Sequence, residues 1–187
     1  PKALTEVKIA DENKANQKEI LIEDNCTVTI AQFQPKAKEL RTILMILKMN
    51  NDLERMGDHA VNISKNSLVL LEQPKINSLT HIPEMGKKAL NMLKDSITSF
   101  INEDALLAKA VCERDDEVDN YRKIILSELL KHMHDDPQKI DRAIRLINIS
   151  KDIERIADLA TNICEDVLYM VAGRVIKHHH EENLQKK

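Results

Sequence analysis

Two acidic motifs, a hundred residues apart, contain the side chains most able to do chemistry. Glu54 and Asp58 stand four residues apart in the first motif, and Glu154 and Asp158 have the same spacing in the second. Side chains four apart share one face of a helix, where like charges cost about 0.2–0.5 kcal/mol per pair. An unfavourable pair that recurs in matching surroundings indicates a role for the carboxylates. Carboxylate oxygens are ligands for hard metal ions.

Helices must position these motifs, because the composition is typical of an all-α protein. The chain has 187 residues with three Gly, two Phe, two Tyr and no Trp, and 32% of its residues are charged. Leu, Ile, Lys and Glu favour helices, whereas the aromatic residues that favour strands are scarce. Helix-breaking residues then predict five helices, over 4–33, 36–71, 84–101, 104–134 and 138–172.

The two motifs also reveal an internal repeat. When they are aligned, the helical hairpin 1–71 matches the hairpin 105–171, and helix 84–101 has no counterpart in the first half. We therefore predict two pseudo-symmetric three-helix bundles, of which the first lacks its leading helix before Pro1. The predicted divisions are a partial first bundle, a second bundle and a flexible tail, over 1–75, 82–173 and 174–187.

Counting from the turn of the second hairpin predicts which acids face each other. Asp115 lies 21 residues before Asp136, and Asp158 lies 22 residues after it. Antiparallel helices rise equally, by about 1.5 Å per residue, so positions at equal distances from the turn lie side by side. We therefore expect Asp115 to face Asp158, and Asp119 to face Glu154.

In the first hairpin the same count places Asp11 opposite Asp58. Opposite Glu54 stand Ala15 and Asn16, which supply no carboxylate. The second half thus gathers four acids and the first half three. Converging carboxylates repel one another unless a cation lies between them, so we expect a metal site. Oxygen ligands favour magnesium, manganese, iron or calcium, and zinc also accepts them. A lattice of salt bridges to neighbouring Arg or Lys is the alternative interpretation.

The other titratable residues are given structural interpretations. His59 is expected to be a surface residue, because it points about 100° away from Asp58 along the helix. His132 and His134 end a helix, where partial positive charge suits the dipole. Each cysteine is interpreted as a small apolar residue on a helix in a reducing cytoplasm: Cys26, Cys112 and Cys164.

Charge and hydropathy bear on the partners. A net charge of −3, without a run of Lys or Arg, argues against nucleic acid. The longest apolar run, 43–47, is too short to span a bilayer.

The motifs resemble the signature helices of the PhoU family. The resemblance extends over about 7–173, and is carried by segments 53–63 and 153–158, by Gln34-Pro35 with Leu40-Arg41, and by 115–119. It implies two three-helix bundles that hold multinuclear clusters of divalent or trivalent metal ions, among iron, zinc, manganese and magnesium. Carried over position by position, the implied metal ligands are Asp11, Glu54, Asp58, Asp115, Asp119, Glu154 and Asp158.

The resemblance further implies a cytoplasmic regulator of phosphate uptake that is not an enzyme. Such proteins contact the ATPase of the phosphate ABC transporter and a sensor histidine kinase, and thereby repress the phosphate-starvation genes. Exposed apolar positions on the hairpins are compatible with a homodimer.

Three other functions remain open. The chain is alternatively the cytosolic tail of a sodium/phosphate cotransporter, or an adaptor whose acids tune solubility. A carboxylate-bridged metal enzyme is the third possibility. Di-iron oxidases of this kind use Glu-x-x-His, whereas positions 57 and 157 are Gly and Ala.

Overall fold

The protein is all-α, as the sequence predicts. The computed structural model describes the backbone of residues 2–74, 76 and 81–172, with side chains from residue 16 onward in these ranges. Within these ranges there is no strand, and one 3₁₀ turn covers Pro137–Lys139. The predicted tail 174–187 lies outside the described residues. The helices are α1 Lys2–Phe33, α2 Lys38–Leu71, α3 His81–Asn102, α4 Ala105–Cys112, α5 Asp115–Asp135 and α6 Ile140–Ala172.

The predicted helix 104–134 is wrong as a single element, because it is divided into α4 and α5. The break is one tight turn at Glu113 and Arg114, both of which keep right-handed helical backbone angles. The Arg114 N–H donates to the carbonyl of Val111, three residues back, at 3.0 Å. Hydrogen bonds of this kind tighten a helix locally, so α5 follows α4 after a 3₁₀-like step.

Helix α3 begins at His81, three residues earlier than predicted. The prediction failed because Pro83 was treated as part of the preceding loop. Proline is tolerated in the first turn of a helix, where its missing N–H has no intrahelical partner to lose. At the start of α4, Asp104 accepts hydrogen bonds from the N–H groups of Leu106 and Leu107, both at 3.0 Å.

Helix α6 lies at the centre of the packing, in contact with α2, α3, α4 and α5. Helix α3 also packs against α4 and α5, and α1 packs against α2. The two-bundle pseudo-symmetry and the missing helix stay predictions. The core between α3, α5 and α6 contains fully buried side chains from all three helices, including Met85, Met92, Ile125, Leu129, Ile163 and Val167.

Helices α2 and α6 run antiparallel and bring the two acidic motifs together. His59 of α2 contacts Asp152 of α6, whereas Asn66, farther along α2, accepts a hydrogen bond from Arg145, farther back on α6. Lys48, nearer the start of α2, pairs with Asp166 near the end of α6. Helix α6 therefore helps to position the first motif, and helix α2 helps to position the second.

Candidate functional site

Two of the predicted acids of the second repeat, Asp115 and Asp158, line a cavity of about 380 Å³ between α2, α5 and α6. Both motifs contribute to its walls, since Arg55 belongs to the first and Arg155 and Asp158 to the second. The lining residues are Arg55, His59, Asp115, Arg155, Asp158, Leu159, Thr161, Asn162 and Glu165.

Asp115 is the most perturbed of the predicted ligands. Burial, followed by the negative charges of Asp158 and Asp119, raises the pKa of its carboxyl group from 3.8 to about 6. The Thr161 Oγ1 donates a hydrogen bond to Asp115 Oδ1 at 3.4 Å, which opposes this rise. Asp115 and Asp158 thus lie near each other, as the count from the turn predicts.

Glu154 is buried, with 8% of its surface exposed, and one of its oxygens is well paired. Its Oε1 accepts a hydrogen bond from Arg122 Nη1 at 2.6 Å. Its Oε2 is buried and has no hydrogen-bond partner in the part of the chain that the structure describes. A buried oxygen without a hydrogen-bond partner typically lowers the free energy of unfolding by about 1–3 kcal/mol.

Arginine, rather than a facing carboxylate, is therefore the partner of Glu154 in this arrangement. Arg122 lies on the same helix as Asp119, which we predicted to face Glu154. On α6, Arg155 Nη1 donates to Asp158 Oδ2 at 2.8 Å. Two of the four acids are thus paired with guanidinium groups, as the salt-bridge interpretation expects.

The acids are neighbours, but they are not gathered at coordination distance. Among the described residues, no three His, Cys, Asp or Glu side chains lie close enough to hold a metal ion. The donor set nevertheless fits a hard cation, because it consists of carboxylates and includes the unpartnered Glu154 Oε2. A cation would also relieve the repulsion that raises the pKa of Asp115. Binding requires Arg122 and Arg155 to release their partners.

The first motif has an acidic neighbour that the sequence analysis missed. Glu54 is half-buried and Asp58 is exposed. The pKa of Glu54 is raised by burial, then by the charges of Asp58 and of Glu19. Helix α1 therefore supplies a negative charge that acts on Glu54, in addition to the residues Ala15 and Asn16 that the count places opposite it. Glu19 lies one helical turn beyond Ala15 and Asn16, a spacing that could have indicated it.

Asp11 lies in α1, but its side chain falls outside the described residues. Its proposed position opposite Asp58 therefore stays a prediction.

His59 is not the surface residue that we expected. Its ring is half-buried, and its Nδ1 lies 2.9 Å from Asp152 Oδ1 on α6. Asp52, which lies a hundred residues before Asp152 and matches it in the first repeat, is 7% exposed. Burial raises the pKa of Asp52, and the nearby charge of Asp166 adds to the effect. Asp152 is thus a contact residue between α2 and α6, whereas Asp52 pairs with Arg55 of its own helix, at 3.6 Å.

The three cysteines lie on helices, as expected. Cys26 and Cys164 are buried, and Cys112 is half-buried. A hydrogen bond between the thiols of Cys112 and Cys164 lowers the pKa of Cys112 and raises that of Cys164. Cys112 lies three residues before Asp115, so this contact adjoins the acidic cavity.

Comparison with known proteins connects this arrangement to one family. The PhoU domain model matches the chain twice, over residues 2–67 and 82–167. Two proteins described as phosphate-specific transport system accessory protein PhoU homologues are similar to it. The homologue of Aquifex aeolicus is 40% identical, over 95% of this chain and 80% of its own length. That of Clostridium acetobutylicum is 38% identical, over 86% and 73% respectively.

Two crystal structures are also similar. PhoU from Pseudomonas aeruginosa has a TM-score of 0.87 and 34% identity, covering 91% of this chain and 82% of that one. The phosphate transport system regulatory protein PhoU from Streptococcus pneumoniae has a TM-score of 0.83 and 30% identity, covering 94% and 82%.

These relatives are accessory and regulatory proteins, which confirms the prediction that the chain is not an enzyme. In the described residues, no helix is long and apolar enough to cross a membrane. With both acidic motifs inside the two matched regions, the chain belongs to the PhoU family.

Proposed function

We propose that this protein is a metal-binding negative regulator of phosphate uptake and of the phosphate-starvation response. It acts in the cytoplasm by contact with the ATPase of a phosphate ABC transporter and with a sensor histidine kinase. The observation that carries the proposal is the placement of both family-matched repeats against one acidic cavity. The names of the similar proteins supply the connection to phosphate transport.

The metal part of the proposal depends on the second repeat. Asp115, Asp119, Glu154 and Asp158 would hold the ions, which supply positive charge at the junction of α5 and α6. Glu154 is the strongest candidate, since it is buried and its Oε2 has no partner among the described side chains. In the first repeat Asp11, Glu54 and Asp58 would form a second site, to which Glu19 adds a fourth carboxylate.

The two arginines that pair with these acids then determine which charges the protein presents to a partner. Arg122 and Arg155 neutralise Glu154 and Asp158 when no cation is bound. A cation that takes these carboxylates frees the two guanidinium groups, which are half-exposed or exposed. The surface of α5 and α6 therefore gains positive charge, which alters its fit to an oppositely charged partner surface.

A homodimer is part of the same proposal. Helix α1 exposes several large apolar side chains, which a second copy of the chain would cover. They include Ile20, Val28 and Phe33, with exposures of 58%, 48% and 75%.

A phosphate-starvation reporter in the source organism tests the function. We expect deletion of the gene to switch the reporter on in abundant phosphate, and the intact gene to restore repression. A Glu154→Ala/Asp158→Ala variant is expected to restore neither repression nor full metal content. Asp141→Asn, an exposed change on the same helix, should behave like the intact gene.

A reporter that stays silent on deletion would contradict the regulatory proposal, and would favour the cotransporter tail. Full repression by the double variant, with unchanged metal stoichiometry, would instead refute the assignment of the acids.

A further inference from the structure

A pair of thiols lies close to the acidic cavity and has no part in the proposed metal site. Cys112 is the last residue of α4, and Cys164 lies on α6 in the core, with 0% of its surface exposed. The two thiols share a hydrogen bond, and α4 packs directly against α6. Cys112 is only half-buried. The pair thus combines one sulfur that a small solute can reach with one that is enclosed.

The thiol contact belongs to the regular packing of these helices. Three contacts of α4 and α5 with α6 follow one antiparallel register, in which each step forward along α4 and α5 is matched by an equal step back along α6. They are Cys112 with Cys164, Asp115 with Thr161, and Arg122 with Glu154. The two sulfurs are therefore held opposite each other by the same seam that positions the acids.

The thiol contact also adjoins the lining of the cavity. Asp115 lies three residues after Cys112, and Thr161 lies three residues before Cys164. Asp115 and Thr161 both line the acidic cavity. Between Cys112 and Asp115 the backbone makes the tight turn that divides α4 from α5. A covalent bond at Cys112 would therefore hold this turn, and Asp115 with it, against α6.

We propose that Cys112 and Cys164 form a reversible intramolecular disulfide when the protein meets hydrogen peroxide. In a reducing compartment, disulfides are typically transient and serve in redox sensing. A disulfide joins its sulfurs at about 2.05 Å, so bond formation draws the end of α4 toward α6. Cys26 lies on α1, which packs against α2, and takes no part. The proposal depends on the thiol contact and not on the proposed regulatory function.

The oxidation balances in two steps. The Cys112 thiolate attacks one peroxide oxygen and the O–O bond breaks. Cys112 becomes a sulfenic acid, and the departing hydroxide takes up the proton that the thiol had lost. The Cys164 sulfur then attacks the Cys112 sulfur, the S–O bond breaks, and hydroxide leaves with the Cys164 proton as a second water. The two thiols lose two electrons, and the peroxide gains them.

The environment of Cys112 favours the first step. The hydrogen bond from Cys164 lowers the pKa of Cys112, and thiolate is the form that attacks peroxide. The partner sulfur is already in contact, so the sulfenic acid has a resolving thiol at hand.

Counting free thiols by mass spectrometry tests the proposal. The chain has three Cys, so the reduced and denatured protein should take up three maleimide labels. After treatment of the folded protein with equimolar hydrogen peroxide, we expect one label, and dithiothreitol should restore all three. Peptide mapping without reductant should find Cys112 joined to Cys164 and the single label on Cys26.

Cys26→Ala is the matched control, because it removes the thiol that takes no part. Peroxide should reduce its label count from two to none. Cys112→Ala retains Cys26 and Cys164, and should keep both labels after the same treatment. Circular dichroism verifies that each variant is folded. Mapping of the intact protein needs no substitution, so it decides the question if a variant fails to fold.

Hydrogen exchange tests whether the bond restrains the structure next to the cavity. Backbone amides of 113–118 should exchange on the order of tenfold more slowly in the oxidised protein, because the turn can no longer open away from α6. Amides of 20–30, on α1, should exchange at the same rate in both forms.

Equal label counts before and after peroxide would overturn the proposal. So would a sulfinic acid on Cys112 with Cys164 still free, a disulfide between two chains, or a bond that involves Cys26. Unchanged exchange at 113–118 in protein that contains the bond would refute the restraint on the turn.

Discussion

The Nδ1 of His59 lies 2.9 Å from the Oδ1 of Asp152, and this contact joins the two acidic motifs across the α2–α6 interface. His59 directly follows Asp58 of the first motif, and Asp152 lies two residues before Glu154 of the second. The side chains are 21% and 14% exposed, so water competes weakly for the bond. The motifs are therefore held together by residues that are not among the proposed metal ligands.

Removal of this bond is expected to destabilise the interface. We predict a coupling free energy of about 0.5–1.5 kcal/mol between His59→Ala and Asp152→Ala in a double-mutant cycle. Chemical denaturation of the intact protein, the two single variants and the double variant measures it. Effects that add within about 0.3 kcal/mol would show that the two residues do not interact.

Asp115 gives stability a particular pH dependence. Its folded-state pKa of about 6 lies above the ordinary value of 3.8, so the folded state binds more protons between these values. The free energy of unfolding should therefore fall as the pH rises from about 4 to 6. In the presence of chelator, Asp115→Asn is expected to be more stable than the intact protein at pH 7, by on the order of 1–2 kcal/mol, and equal to it near pH 4.

Thermal or chemical unfolding across this pH range checks the prediction. Asp141→Asn removes an exposed carboxylate of α6 that does not act on Asp115, and should retain the slope of the intact protein. If the free energy of unfolding of Asp115→Asn differed from that of the intact protein by the same amount at every pH, the electrostatic origin of the pH dependence would be contradicted.

Arg122 should be replaceable by a metal ion. Arg122→Ala leaves the buried Glu154 carboxylate without its 2.6 Å partner, which should cost about 1–3 kcal/mol in chelator. Added Mn²⁺ is expected to recover much of this loss, because a bound cation supplies the missing charge. Unfolding curves with and without the ion measure the effect.

Arg155→Ala is the matched control for this experiment. Its partner Asp158 has a side chain that is 33% exposed, so the loss in chelator should stay below about 1 kcal/mol. Equal losses in the two variants, or no recovery of Arg122→Ala with metal, would argue against Glu154 as a ligand.

Cys112 should be the most reactive of the three thiols. The hydrogen bond with Cys164 lowers the pKa of Cys112 and favours its thiolate, which is the nucleophilic form. The same bond raises the pKa of Cys164, and burial raises that of Cys26. Mass spectrometry after brief alkylation of the folded protein is expected to show label on Cys112 first. Initial labelling of Cys26 would contradict this order, and Cys112→Ser should abolish the fast phase.

The positions of most helices follow from the sequence alone. Breakers such as Gln34-Pro35 end helices locally, so α1 and α2 lie close to their predicted bounds. The neighbouring placement of Asp115 and Asp158 also follows, because two helices that leave one turn rise at the same rate. The break at Glu113 and Arg114 could not be predicted, since neither residue is a helix breaker.

The local pattern of the chain thus determines the helices, the repeat and the acids of each hairpin. Only the tertiary structure decides which residues of different hairpins come into contact. His59 and Asp152 are 93 residues apart, and their contact depends on how α2 crosses α6. Within the second hairpin, the pairing of Glu154 with Arg122 depends on how the side chains of α5 and α6 pack together. Local periodicity indicates which face of a helix is apolar, but only the packing of that helix against others determines the partner of each buried charge.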